Sequence, residues 1–228
     1  NNVLQIWLQV PTGDDRQLTQ DKKRGIRSYF WTYQENKLIY LQDADGDENF
    51  HLYLVDVATD MVRDLTPFQG VKASPVELDP DFPNLALVSL NLKDRQKFDV
   101  YRINLTTGAV EFDTDNPGNI VGWTADHQFH IRAATAATPD GGSELLYRAT
   151  PANPWESLRC WGPDDEGGAV GFSKDGNILY LVGTHDANAQ RFISLDLTTR
   201  TETVIAEDPQ YDIGNIETHP TEHTIQAV

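Results

Sequence analysis

A chain of 228 residues, 39% of them hydrophobic and 23% charged, can bury a core of its own, which excludes a disordered or disulfide-dependent chain. Its 18 basic and 35 acidic residues leave a formal net charge of −17, which excludes the basic surface that nucleic-acid binding needs. No apolar run approaches the roughly 20 residues of a membrane-spanning helix, and no signal-peptide pattern is present. We therefore expect neither nucleic acid nor a membrane as a partner.

The single cysteine, Cys160, cannot form an internal disulfide, so the fold does not depend on oxidising conditions. This favours a reducing, cytoplasmic location. We expect Cys160 to be a packed residue, because a free cysteine behaves as a small hydrophobic side chain.

In chain order, several segments alternate apolar and polar residues and are separated by turn-forming clusters, which predicts strands. The clearest are Lys37–Gln42, Phe50–Val57, Leu85–Asn91, Phe98–Leu105, Ile178–Val182 and Phe192–Leu197. No segment has the 3.6-residue periodicity of an amphipathic helix. The chain is therefore predicted to be all-β.

Two series of turns repeat along the chain. The first turn residue of five similar segments recurs after 47, 45, 49 and 46 residues, at Thr32, Asp79, Thr124, Ser173 and His219. A second series of turns recurs with the same period, at Thr12, Thr59, Thr107 and Thr199, with prolines at its fourth position, in 150–154. A period in the forties is typical of a four-stranded β-propeller blade.

The repeats predict one propeller domain over residues 1–228, with about five blades: four complete blades and a half-blade at each terminus. In the blade that begins near Ile26, the strands are expected at 26–31, 38–41, 52–57 and 62–65. We expect the two half-blades to pair and close the ring, because open strand edges promote aggregation. Four aromatic residues near the ends of first strands should pack between blades: Phe30, Trp31, Trp123 and Phe172.

Three aspartates alternate within one predicted turn: Asp43, Asp45 and Asp47. Calcium prefers six to eight oxygen ligands, and a late bidentate carboxylate usually completes the site. Counted from the first aspartate, Leu54 stands at the twelfth position of an EF-hand and His51 at the ninth position of an integrin-type loop. Neither pattern has its closing ligand. The three aspartates are a candidate calcium site, and a hairpin turn is the alternative.

Three segments resemble the propeller of bacterial prolyl oligopeptidase-family serine peptidases. They are GIRSYFWTY (Gly25–Tyr33), LIYLQDADGDENFHLYLVD (Leu38–Asp56) and RDLTPFQGV (Arg63–Val71). The resemblance continues through 136–142, 161–163 and 206–209 and covers nearly the whole chain. It implies a propeller, usually of seven blades, joined to an α/β-hydrolase domain that carries the catalytic serine, aspartate and histidine.

The chain itself lacks the G-x-S-x-G motif of that hydrolase domain. The nearest sequence, Gly171–Asp175, has no final glycine, and its Ser173 is already explained as a blade turn. The abrupt start and end of the strand pattern indicate a piece of a longer polypeptide. We therefore expect no catalytic residue in this chain, and a serine peptidase as the parent protein.

The histidines do not form a convincing metal site. His219 and His223 have a spacing that could bind zinc on a helix, but Pro220 and the repeat predict a turn without a third ligand. His127 and His130 are expected on one strand, held by hydrogen bonds. The segment 140–143 lacks the strand–helix context of a phosphate loop. We expect no cofactor.

Two functions are open. The first is a non-catalytic propeller that admits short peptides to the α/β-hydrolase domain of the parent peptidase, with peptides and that domain as partners. The second is a free-standing propeller that serves as a rigid binding scaffold for proteins or ligands.

Overall fold

The computed structural model describes residues 3–9 and 13–228 of the chain. Every regular element in these ranges is a β-strand. No helix within them is long and apolar enough to cross a membrane. The chain divides into two compact units, residues 1–115 and 116–228.

The first unit contains a two-stranded hairpin and two four-stranded antiparallel sheets, β3-β4-β5-β6 and β7-β8-β9-β10. Its strands are β1 (Trp7–Leu8), β2 (Arg16–Gln17), β3 (Ser28–Trp31), β4 (Lys37–Gln42), β5 (His51–Asp56), β6 (Met61–Asp64), β7 (Ala73–Glu77), β8 (Leu85–Asp94), β9 (Lys97–Asn104) and β10 (Val110–Thr114).

The second unit contains two four-stranded antiparallel sheets, β11-β12-β13-β14 and β15-β16-β17-β18, followed by a two-stranded hairpin. Its strands are β11 (Ile120–Ala125), β12 (Ile131–Ala137), β13 (Ser143–Tyr147), β14 (Glu156–Trp161), β15 (Gly167–Phe172), β16 (Ile178–Gly183), β17 (Arg191–Asp196), β18 (Glu202–Ala206), β19 (Glu217–Thr218) and β20 (Ile225–Ala227).

Each four-stranded sheet is a meander of consecutive strands, which is the architecture of a propeller blade. The predicted fold class is confirmed: an all-β propeller chain with four complete blades and a two-stranded half-blade near each end. The single-domain assignment and the closure of the ring stay predictions.

Alternating residues bury both faces of the β3–β6 sheet. Leu52 and Leu54 pack in one cluster with residues of the β7–β10 sheet, among them Val88 and Ile103. Val55, the residue after Leu54, is on the opposite face of β5 and packs in a second cluster with residues around the β1–β2 hairpin. Since side chains alternate across a strand, one short strand can contribute to two hydrophobic layers. This is why a blade needs neighbours on both sides.

The repeated threonine turns have one local cause. Asp56, Asn104 and Asp196 each accept, through Oδ1, the backbone N–H groups of the residues two and three positions later. The residue four positions later is left-handed in all three turns: Asp60, Gly108 and Arg200. These Asx turns confirm the second repeat series. Its first member, around Thr12, lies outside the described residues.

Two expectations about packing were wrong. Cys160 is exposed, because on β14 it alternates with the buried Trp161 and therefore lies on the opposite face. Trp31 is 56% exposed, since it follows Phe30 on β3 and points away from the core that Phe30 contacts. Phe172 is buried in the core of the second unit, as expected, and Trp123 packs against a smaller cluster in that unit.

Candidate functional site: a basic pocket beside the aspartate loop

The loop of three aspartates joins β4 to β5 as a compact hairpin connection. The N–H of Asp47 donates to the carbonyl of Ala44 at 3.1 Å. Asp45, Gly46 and Glu48 have left-handed backbones, with φ of 57°, 92° and 61°. Aspartate and glycine tolerate this conformation better than most residues, so the predicted turn is confirmed.

Asp43, the first aspartate, faces inward. Its side chain is only 1% exposed, and its Oδ1 accepts a hydrogen bond from Nε of Arg24 at 3.2 Å. Its Oδ2 accepts the N–H of Glu48 at 3.2 Å. A buried carboxylate needs such partners, because ionised groups lose much of their stabilisation when they leave water. Asp43 therefore ties the loop to the segment that precedes β3.

The other two aspartates have different partners. Asp45 forms an exposed ion pair with Lys23, with 2.7 Å between Oδ1 and Nζ. Asp47 accepts the N–H groups of Ala44 and Asn49 through Oδ1. Hydrogen bonds from the side chain and N–H of Asn49 lower the pKa of Asp47. Each carboxylate thus has its own donors in this structure, and the calcium site stays a prediction.

A pocket of about 460 Å³ opens beside this loop. One wall is the segment before β3 and the first residue of that strand; the other wall is the end of β4 and the residue before β5. The lining residues are Lys23, Arg24, Gly25, Arg27, Ser28, Leu41, Gln42, Asp43 and Phe50. Ser28 and Leu41 are directly opposite each other in the β3–β4 register.

Gln42 holds the two walls together. Its Nε2 donates to Oδ2 of Asp21 at 2.7 Å and to the carbonyl of Arg24 at 2.8 Å. Asp21 in turn accepts the N–H groups of Lys23 and Arg24 through Oδ1, both at 2.9 Å. Gln5 adds a further link, since its Nε2 donates to the carbonyl of Asp21 at 2.7 Å. The basic segment is thus fixed in place rather than loosely solvated.

The same hydrogen bonds set the charge of Asp21. Burial alone would raise its pKa, but the N–H groups of Lys23 and Arg24 and the amide of Gln42 outweigh that effect and lower it. The Asp21 carboxyl group is therefore ionised at neutral pH. Around the pocket, Lys23 and Arg24 have acidic partners in Asp45 and Asp43, whereas Arg27 contributes a further positive charge.

Arg27 gives this arrangement an exposed guanidinium that can donate hydrogen bonds to an anionic ligand. No site was predicted in the basic segment 21–27, and Phe50 was predicted only as the first residue of a strand. The useful signal was the combination of four basic residues before β3, Lys22, Lys23, Arg24 and Arg27, in a chain of net charge −17. The distance in sequence between that run and Phe50 hid the pocket.

Ser173 lies in the β15–β16 turn, as predicted from the repeat. Its hydroxyl donates to Oδ1 of Asp175 at 2.6 Å and accepts the N–H of Ile178 at 3.0 Å. Both contacts belong to the turn. Ser173 has the contacts of a structural residue.

The histidines pair differently from the expectation. His127 and His130 lie in the turn between β11 and β12, so the prediction that they lie on one strand is wrong. The ring of His127 stacks on His223, with centroids 3.5 Å apart. Residues 219–223 form the predicted turn, closed by the N–H of His223 donating to the carbonyl of His219 at 2.9 Å. The residue on which the His127 ring stacks is thus 96 residues away in sequence.

Comparisons with known proteins agree with the fold. No protein-family model matches the chain. It is 34% identical over its full length to the dipeptidyl aminopeptidase BIII of Pseudoxanthomonas mexicana, and 25% identical over 93% of its length to a dipeptidyl peptidase family member 6 of Caenorhabditis elegans. It spans 34% and 31% of these relatives, so about a third of their length.

Among solved structures, a prolyl endopeptidase superimposes with a TM-score of 0.67. It is 13% identical, and the match covers 91% of this chain and 33% of that one. At this identity the likeness shows the fold alone. By sequence over its whole length, this chain is similar to about a third of a dipeptidyl aminopeptidase, and its blades have the propeller fold of the prolyl endopeptidase.

Proposed function

We propose that this chain is the non-catalytic propeller of a prolyl oligopeptidase-like serine peptidase, and that it admits short peptides to a hydrolase domain in the same polypeptide. The observation that carries the proposal is the match over 100% of this chain to about a third of a dipeptidyl aminopeptidase. The remaining two thirds of such a protein leave room for a catalytic domain.

The catalytic chemistry of serine peptidases supports placing the nucleophile in another domain. Acyl transfer by a serine needs a nucleophile, a positioned base and an oxyanion hole. Residues 1–228 contain no G-x-S-x-G motif, and the nearest serine, Ser173, is occupied by turn contacts. The propeller would then act sterically, as a rigid wall that restricts which polypeptides reach the nucleophile.

We propose that all 228 residues act as one domain, in the cytoplasm, where the unpaired Cys160 would stay reduced.

The first test locates the nucleophile. The full-length gene product is treated with a fluorophosphonate probe, digested and analysed by mass spectrometry, with heat-denatured protein as the control. We expect an intact mass about three times the 25.6 kDa of this chain and a labelled serine outside residues 1–228. A product of about 25.6 kDa, or no labelled serine, would contradict the proposal.

The second test concerns access. The same protein is assayed with a short chromogenic peptide and with one small disulfide-bonded protein, supplied either folded and oxidised or reduced and unfolded. We expect rapid cleavage of the peptide, slower cleavage of the unfolded chain and no cleavage of the folded form. Equal cleavage of all three would remove the steric role.

A further inference from the structure

Arg27 is the cation of the basic pocket that has no acidic partner. Across residues 3–9 and 13–228 the structure gives ion pairs to Lys23 and Arg24, but no hydrogen bond or ion pair to the Arg27 side chain. Arg27 is exposed and lines the pocket. A guanidinium presents five N–H donors in a planar fork, which matches the two oxygens of a carboxylate. Because Arg27 is exposed on the pocket wall and has no acidic partner there, its guanidinium is available to a carboxylate ligand.

The rest of the pocket adds apolar and polar contacts. Leu41 and Phe50 supply apolar surface, and Ser28 supplies a hydroxyl beside them. A volume of about 460 Å³ lies within the range of small-molecule sites, roughly 300–1,000 Å³. Such a space suits one or two amino-acid residues. The pocket thus combines one free positive charge with room for a hydrophobic side chain.

The wall that carries Arg27 is already ordered. Ser28 pairs with Leu41 in the sheet, and the N–H of Ile26 donates to the carbonyl of Leu4 at 3.0 Å. Gln42 fixes the preceding turn through Asp21 and the carbonyl of Arg24. A ligand would therefore not have to order this segment, which favours binding.

The charges select the class of anion. Asp43 and Asp45 lie next to the pocket and pair with Arg24 and Lys23, and the ionised Asp21 lies in the same segment, so the Arg27 guanidinium is the lining cation with which a ligand can pair. A dianion such as a phosphate ester would carry one charge too many beside these carboxylates, whereas a single carboxylate is balanced. We propose that the pocket binds a carboxylate of a short peptide through Arg27, with an adjacent apolar side chain against Leu41 and Phe50. That the ligand is a peptide rests on the proposed function.

The test measures binding to the full-length gene product by isothermal titration calorimetry. N-acetylated peptides are used as probes, and the protein is first inactivated with the fluorophosphonate probe, so that none of the peptides is cleaved during the titration. The three probes are N-acetylalanylphenylalanine, its carboxyl-terminal amide, and N-acetylglutamylphenylalaninamide. The first carries a terminal carboxylate, the second none and the third a side-chain carboxylate, so they distinguish the two sources of the anion.

We expect at least one carboxylate probe to bind about ten-fold or more tightly than the amide. Arg27→Gln should remove that preference, because a neutral amide cannot form the charge-assisted pair. Lys22→Gln is the matched control: it removes one positive charge from the same segment, at a residue that does not line the pocket, and should leave binding within about two-fold.

Equal binding of all three probes, no binding of any probe, or an unchanged preference in Arg27→Gln would overturn the proposal. Circular dichroism and the thermal midpoint of each variant show whether it is folded. Cleavage of an unblocked chromogenic peptide by the same preparation, measured before the inactivation, tests the peptidase function separately. If the protein cleaves peptides but shows no preference for the carboxylate probes, only the proposed binding by the pocket is refuted. If it binds a carboxylate probe but cleaves no peptide, only the proposed peptidase function is refuted.

Discussion

Arg24 and Asp43 form the ion pair that joins the aspartate loop to the segment before β3. Nε of Arg24 lies 3.2 Å from Oδ1 of Asp43, whose side chain is 1% exposed while that of Arg24 is 48% exposed. The carboxylate is thus buried and depends on a half-exposed cation. The pair also forms part of the pocket lining, so local stability and the candidate site share the same residues.

Loss of Arg24 should therefore destabilise the protein. Arg24→Ala leaves the Asp43 carboxylate buried, with the N–H of Glu48 as its remaining donor among the described residues, and we expect the free energy of unfolding to fall by about 1–3 kcal/mol. Urea denaturation followed by tryptophan fluorescence measures the change. Lys23→Ala breaks the exposed pair with Asp45 and should cost under about 1 kcal/mol. Equal losses in the two variants would contradict the structural role of Asp43.

Asp21 should contribute to the pH dependence of stability. Its folded pKa is lowered below 3.8 by the N–H groups of Lys23 and Arg24 and by Gln42, despite the opposing effect of burial. A lowered folded pKa gives stability that is fully present above the unfolded pKa and is lost as the pH falls through the folded pKa. Thermal midpoints measured from pH 6 down to pH 2 should fall, and the fall below about pH 3.8 should be smaller in Asp21→Asn. Identical profiles for the two proteins would rule out this contribution.

Gly25 should not tolerate a side chain. A Cβ at this position would lie 2.9 Å from both N and Cβ of Leu4, which is closer than real Cβ contacts. We expect Gly25→Ala to lower the stability by about 1–3 kcal/mol, because Leu4 would have to move. Gly214→Ala is the control, since nothing lies within 4 Å of the added Cβ. Chemical denaturation of both variants gives the comparison, and a neutral Gly25→Ala would show that the segment before β3 adapts freely.

Calcium should have little effect on the aspartate loop. Asp43 and Asp45 already form ion pairs with Arg24 and Lys23, so a metal would have to displace both cations. We expect calcium at about 1 mM to leave the thermal midpoint unchanged relative to magnesium. A midpoint raised by calcium alone, and lost in Asp47→Asn, would instead establish the loop as a calcium site.

Local features of this protein could be read from its sequence because their cause is local. The threonine turns recur with a fixed period, and three of them are formed by an Asp or Asn side chain that accepts the N–H groups two and three residues later, at Asp56, Asn104 and Asp196. Alternation of apolar residues identified the strands, since a strand has a period of two. The whole-length similarity to a peptidase was also present in the sequence, in segments such as Leu38–Asp56.

Contacts between residues that are distant in sequence, and the choice of which strand face is buried, could be assigned only from the tertiary structure. Arg24 meets Asp43, and Arg27 shares a pocket with Phe50, only because the β3–β4 register brings the segment before β3 next to the end of β4. Trp31 is exposed although it is among the most hydrophobic residues of its strand, because its neighbour Phe30 takes the face that meets the core. Alternation along a strand assigns residues to two faces, but only the packing of whole sheets determines which face is buried and which charges remain without a partner.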